Sequence, residues 1–440
     1  MLDILIKNAS IITMNDSRPV IEGGCVGIFE GRIAFVCDKD ESAKNDGEAR
    51  RVIDAGGNIV MPGLINTHAH TAMCIMRGFA DDMRLDKWLF DHIFPVEARL
   101  SEAAVCAGVR LGIAEMLASG TTSFSDMYFF EPKAAKTVLE TGIRANLCNG
   151  VVALDENYVF ERDRAVIEIK ELIANWHNAG NGRIKADASI HAEYTSSPSA
   201  WRKMHELAAD NGLITQLHLS ETKKEVDECL IRRNGRTPAR AFFDEGIFDT
   251  PTLAAHGVWL TEEDMDLLAE KRVSLAHCPV SNLKLASGIA NTKKLLEHGV
   301  NVALGTDGCA SNNSHDLFEE LKLAALLAKG STFDPTAIPA YAALKMATVN
   351  GAKAQGRENE IGVLKAGFDA DLIMLDVQKA NMRPLYDPVS TAVYSARGSE
   401  VCLTMVQGKV LYEKGKFTTI DIEKTIRDAD ELAAPIVRGR

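Results

Sequence analysis

Eight short apolar, β-branched runs, each followed by a helical pattern, constrain this 440-residue chain more than any other feature. They are Ile59 to His70, Thr121 to Met127, Arg144 to Val151, Ile184 to Glu193, Leu213 to Glu221, Thr252 to Leu260, Arg272 to Val280 and Val300 to Asp307. Strands that alternate with helices run parallel, and eight such units predict a closed ring with the helices outside. Helix ends support the alternation. Ser101 stands as an N-cap before Glu102, Gly120 closes the periodic stretch Val105 to Leu117, and Thr261-Glu262-Glu263-Asp264 makes a capped, acidic first turn.

The flanks follow another rhythm. Residues 1–58 alternate with period two and are punctuated by Glu22-Gly23-Gly24, Glu30-Gly31 and a polar loop from Asp38 to Gly47. After the helical stretch Pro339 to Gln355, strand patterns return in Asp371 to Asp376 and Leu403 to Val410. The expected fold class is α/β: a (β/α)8 TIM barrel over residues 59–357, with a small β-sandwich domain built from both termini, residues 1–58 and 358–440.

Lys and Arg total 49 against 61 Asp and Glu, and the formal net charge of −12 argues against nucleic acid as a partner. No apolar stretch reaches the roughly 18 residues of a membrane span, and the first residues carry no signal-peptide pattern, so the expected location is cytoplasmic. The nine cysteines are scattered without a Cys-x-x-Cys pair and are expected to be reduced and mostly buried. Gly-x-Gly-x-x-Gly, phosphate-loop and Gly-x-Ser-x-Gly signatures are absent, which removes a nucleotide cofactor and the commonest serine hydrolases.

The chemistry lies at the strand ends. His68 and His70 are two residues apart in one run, so both side chains point to the same face. His218 and Asp307 end the fifth and eighth runs, on the face where barrel active sites form. Three nitrogens and one oxygen suit a borderline divalent ion, zinc first, with Fe2+ or Mn2+ as alternatives. No lysine ends the fourth run, where a bridged pair of ions would want one, so one ion per chain is expected. Glu221, three residues after His218, is a candidate proton shuttle, against the plainer role of an acid opening a helix. His256 ends the sixth run within reach of the attacking oxygen, His191 ends the fourth as a substrate contact, and His277 ends the seventh with no role favoured. His92, His177, His205, His298 and His315 are expected at the surface.

Met61-Pro62-Gly63-Leu64-Ile65-Asn66-Thr67-His68-Ala69-His70, His218 with Glu221, His256 and Asp307 together resemble the amidohydrolase superfamily, and the resemblance covers nearly the whole chain. Arg77 to Asp82, Asp86 to Leu89, Phe94 to Glu97, Ser281 to Leu285 and Gly305 to Asn313 are similar to its 5-methylthioadenosine and S-adenosylhomocysteine deaminases. The resemblance implies that Glu97 contacts ribose hydroxyls, Trp88 packs on the substrate and His191 binds near the purine or ribose. One departure stands out. Members that hold the homocysteine carboxylate carry arginines after the third strand, whereas here Asn149 stands in the matching stretch, with Arg162 and Arg164 as candidate replacements.

The expected activity is hydrolytic deamination of an adenosine-type nucleoside, with Glu221, His256 and Asp307 catalytic and Asp307 also a metal ligand. The partner is then a small-molecule nucleoside, and a homo-oligomer is left open. Two alternatives stand beside it: an aminohydrolase or chlorohydrolase of guanine, pterin, cytosine or triazine rings, and a non-catalytic scaffold of the same fold.

Overall fold

The computed structural model describes residues 1–38, 49–153 and 157–438, so most of the Asp38 to Gly47 loop lies outside the described residues. All eight runs form strands, and every pairing among them is parallel. One sheet orders Asp307–Gly308, Leu64–His70, Thr121–Met127, Arg144–Cys148 and Ile184–Ala186. The other orders Ala188–Ser189, Thr215–Leu219, Thr252–His256, Ser274–His277 and Asn301–Leu304. Two runs serve both sheets, the fourth by splitting at Asp187 and the eighth by splitting after Leu304. Thr121–Met127 and Thr215–Leu219 are buried at every position, as strands covered on both faces must be.

The helix signals hold at the level of single hydrogen bonds. Ser101 Oγ accepts from Ala104 N at the start of Glu102–Ala118. Thr261 and Asp264 close a reciprocal capping box at the start of Glu262–Glu270.

Both ends of the chain enter one mixed sheet of nine strands among the described residues. Leu2–Ile12 lies near its centre, pairing parallel with Ala49–Asp54 and Ile59–Pro62 and antiparallel with Val20–Phe29. Ile59–Pro62 in turn pairs with Leu372–Leu375 from the far end of the chain. Buried Arg144, in the third parallel strand, reaches across to Asp369 (2.9 Å) and Asp371 (3.0 Å), binding that far segment to the parallel sheet.

Several details differ from expectation. The run Ile59 to His70 is two strands: Ile59–Pro62 belongs to the mixed sheet and Leu64–His70 to the parallel one. Gly63 makes the step between them, because a Cβ there would lie 2.1 Å from Thr122 Oγ1. The run Leu403 to Val410 is a hairpin turning at Gln407-Gly408 between Val401–Val406 and Lys409–Glu413. A helix, Ile422–Arg438, follows it and packs on Glu102–Ala118, which the strand-only expectation for this end did not include. Cys25 and Cys37 are joined in a disulfide rather than reduced; antiparallel register sets them opposite each other, Cα atoms 5.4 Å apart. Their spacing of 12 hid the contact because a hairpin, not sequence proximity, creates it. No helix among the described residues is long and apolar enough to cross a membrane.

Candidate active site

Strand register brings the chemistry together. Asp307 pairs with Ala69 and Gly308 with His70, so the eighth run sets its carboxylate between the two histidines of the first. Gly305 permits this approach, since a Cβ there would stand 2.8 Å from His68 Cβ. Asp307 Oδ1 lies 3.2 Å from His70 Nε2 and 3.6 Å from His68 Nε2, and His218 Nε2 is 3.4 Å from His70 Nε2. The four groups proposed from sequence as ligands therefore converge.

The outer nitrogens decide what this convergence can hold. His70 Nδ1 faces Met127 O at 2.6 Å and His218 Nδ1 faces His191 O at 2.7 Å. A carbonyl only accepts, so each Nδ1 carries a proton and each ring turns its Nε2 inward; burial keeps His218 neutral with a bare Nε2 lone pair, while, against the lowering pull of burial, Asp307 and Met127 O raise His70 to about 9, so that a bound cation would displace its Nε2 proton. Buried His68 Nε2 has no hydrogen-bond partner. Lone pairs and a carboxylate aimed at one another in a buried volume repel unless a cation lies between them, and imidazoles held through the second nitrogen are characteristic of metal ligands. The donor set fits a divalent ion. Asp307 Oδ2 accepts from Ser281 Oγ (2.6 Å) and Ser311 Oγ (2.9 Å), while Oδ1 accepts from Gly308 N (2.8 Å) and faces the histidines.

Glu221 is buried rather than solvated, which disfavours the plain helix-opening role. Burial raises its carboxyl above the ordinary range, as a proton carrier near neutral pH requires. Ser287 Oγ donates to its Oε1 at 3.1 Å, and its Oε2 lies 3.8 Å from His256 Nε2. Its backbone is anchored by Glu225, whose carboxylate accepts from the Ser220, Glu221 and Thr222 amides while capping Lys223–Arg232. His256 and Asp307 are non-glycine residues at positive φ, +74° and +61°, a conformation that persists only where the surroundings enforce it.

A cavity of about 760 Å³, counting its open mouth, lies over these groups and is lined also by Trp88, Glu97, His191, Tyr128 and Asn149. Trp88 is buried with its Nε1 unpartnered, and Glu97 is pushed up to about 7 by burial, against the opposing pull of Tyr128 and His70. His191 Nδ1 meets Thr195 Oγ1 at 3.0 Å, and its backbone oxygen orients His218, a second role that its residue type does not advertise. His277 is buried and does not line the cavity.

Neither candidate arginine reaches the cavity wall. Arg162 is exposed, while Arg164 bonds Glu168 Oε1 at 2.6 Å and lies 3.7 Å over the Phe130 ring. Asn149 Nδ2 donates to the other Glu168 oxygen at 3.0 Å. His315, expected at the surface, is fully buried, with Nδ1 on Thr306 Oγ1 at 3.0 Å. Sequence reasoning also missed Ser287 and Glu225, and it assigned no role to Ser281, Asn282 and Ser311. The last three lie in motifs already quoted, Ser281 to Leu285 and Gly305 to Asn313.

The chain is similar to known proteins along nearly all of its length. The model of the amidohydrolase family matches residues 59–411. The chain is 45% identical over 437 residues to the 5-methylthioadenosine/S-adenosylhomocysteine deaminase of Acetivibrio thermocellus, covering 99% of this chain and 100% of the relative. It is also 45% identical over 437 residues to the 5'-deoxyadenosine deaminase of Methanosarcina mazei, with 99% of each covered. The crystal structure of an adenosine deaminase from Xanthomonas campestris with bound zinc superposes with a TM-score of 0.93 at 32% identity, over 100% of this chain and 99% of that one. With the family model spanning most of its length and relatives of this similarity aligned over nearly all of it, the chain belongs to the amidohydrolase family.

Proposed function

We propose that the protein is a metal-dependent hydrolytic deaminase of adenosine-type nucleosides, converting 5-methylthioadenosine, 5'-deoxyadenosine, adenosine or S-adenosylhomocysteine to the inosine analogue and ammonia. It is a hydrolase acting on carbon–nitrogen bonds, in keeping with its deaminase relatives. The observation that carries the reading is one cavity holding a cation-ready cluster, a buried carboxylate of raised pKa beside it, and Trp88 with Glu97 on the wall. The parallel sheets read as one closed (β/α)8 barrel that starts at Leu64 and runs to about residue 357, supported by the two runs that lend residues to both sheets. Ile59–Pro62 joins residues 1–58 and 358–440 in the smaller β domain.

His68, His70, His218 and Asp307 would hold one divalent ion, zinc being the best fit to the donor set. When bound, such an ion makes water acidic enough to attack near neutral pH. Glu221 takes a proton from the attacking water and delivers it to the ring nitrogen beside the amine-bearing carbon, making the carbon electrophilic. His256 accepts a hydrogen bond from the attacking oxygen. Asp307 helps pass the second proton to the amine, which leaves as ammonia when the carbonyl forms.

Glu97 accepts from the ribose hydroxyls, so Glu97→Ala is expected to lower kcat/KM on nucleosides by about 1–3 kcal/mol, the range for losing an acceptor that bonds in a buried site. Because burial raises the Glu97 carboxyl to about 7, the ionised acceptor is lost as pH falls through that value. KM should therefore rise between pH 8 and 6 in the wild type, and Glu97→Gln should flatten that slope. A wild-type KM independent of pH would remove the ribose assignment.

A panel of adenosine, 5'-deoxyadenosine, methylthioadenosine, S-adenosylhomocysteine, guanine and cytosine, followed by ammonia release, tests the reading as a whole. With Arg164 committed to Glu168 and Arg162 exposed away from the cavity wall, neither candidate guanidinium is placed to grip a homocysteine carboxylate, and methylthioadenosine, 5'-deoxyadenosine or adenosine is expected to equal or exceed S-adenosylhomocysteine. A tenfold preference for S-adenosylhomocysteine would mean that another basic residue binds its carboxylate, with Arg162 and Arg164 the first to mutate. Turnover of a free base alone would return the site to the heterocycle reading.

A further inference from the structure

We propose that Asn282 is a positioning residue that fixes the tautomer of His256; the inference rests on the deaminase reading. Asn282 lies in the short helix Pro279–Lys284, is 1% exposed, and sets its Oδ1 2.9 Å from His256 Nδ1. An amide oxygen only accepts, so Nδ1 holds the proton and the lone pair is on Nε2. That nitrogen faces the reacting side of the cavity, where Glu221 Oε2 lies 3.8 Å away. In this tautomer Nε2 can accept a hydrogen bond from the attacking water.

Three observations set this contact apart from ordinary packing. Asn282 Nδ2 is buried without a partner, and a purely structural asparagine would satisfy both ends of its amide. The main chain of Asn282 is held at both ends, its N–H donating to Cys278 O (3.0 Å) and its carbonyl accepting from Ser287 N (2.8 Å), so the side chain has a fixed origin. The same Ser287 donates its hydroxyl to Glu221, so a single segment, 282–287, orients both proton-handling groups. The orphaned amide and the positive φ of His256 are two local expenses that converge on one imidazole.

The test separates shape from hydrogen bonding. Asn282→Leu keeps the volume and removes the acceptor, and Asn282→Asp keeps an acceptor oxygen. The leucine variant is expected to lose about 10–100-fold in kcat with KM within threefold and the bound ion intact, the scale for removing a group that orients an imidazole. The aspartate variant is expected to restore kcat to within about fivefold of wild type. In a His256→Gln background, where there is no imidazole to orient, Asn282→Leu should cost nothing further.

A leucine variant keeping more than half of kcat, or an equal further loss in the His256→Gln background, overturns the proposal. Should the leucine variant not fold, the aspartate variant decides by itself: kcat below a tenth of wild type with the ion retained overturns it. The two levels of inference fail separately. The deaminase reading falls if wild type turns over no nucleoside, whereas the Asn282 proposal is scored as a ratio to wild type on whichever panel member is turned over.

Discussion

His68→Ala is expected to strip the protein of its bound ion and to reduce turnover by about 1000-fold or more, since the ion contributes several kcal/mol to the chemical step. His68 is the deepest of the four converging groups, and its Nε2 makes no hydrogen bond, with Asp307 Oδ1 3.6 Å away. Its loss leaves His70, His218 and Asp307, two imidazoles and a carboxylate that still crowd each other without the nitrogen that completes the set. Elemental analysis of wild type should find about one ion per chain in this site, and the variant should hold less than a tenth of that. An alanine variant with full metal content, or one that is metal-free yet active, would defeat the ligand assignment.

Glu221→Gln is expected to keep the ion and to lose about 100- to 10000-fold in kcat, the span of general acid–base catalysis. The amide has the size of the carboxyl and can still accept from Ser287 Oγ, so the cavity keeps its shape. It cannot carry a proton from water to the ring nitrogen. Metal content and ammonia release measured on the same preparation distinguish this outcome from the one expected for His68→Ala. Near-normal turnover would return Glu221 to the role of a residue that merely opens Lys223–Arg232.

Much of this was legible in the sequence, and the reasons are particular. The eight runs were visible because parallel strands buried on both faces must be apolar throughout, as Thr121–Met127 and Thr215–Leu219 are. The proposed ligands were visible because one end of a parallel sheet gathers its strand ends, so that His68, His70, His218 and Asp307 each close an apolar run. What was hidden depends on contacts distant in sequence. Gly63 breaks a continuous apolar run only because Thr122 presses against it from another strand. The Cys25–Cys37 bond needs hairpin register, and the burial of His315 needs Thr306 behind it. Ser281 and Ser311 are unremarkable serines until Asp307 stands between them.

The mixed sheet has a consequence for how the molecule is made. Leu2–Ile12 and Ile59–Pro62 emerge early during synthesis relative to Leu372–Leu375, which pairs with Ile59–Pro62 and comes more than three hundred residues later. At ribosomal speeds of roughly 5–20 residues per second, the edge of Ile59–Pro62 waits tens of seconds for that partner. Ile59–Pro62 leads through Gly63 directly into the strand that carries His68 and His70, so that strand is tethered to a sheet still missing its other half. During that interval the strand edge that Leu372–Leu375 later covers is open to pairing with other chains.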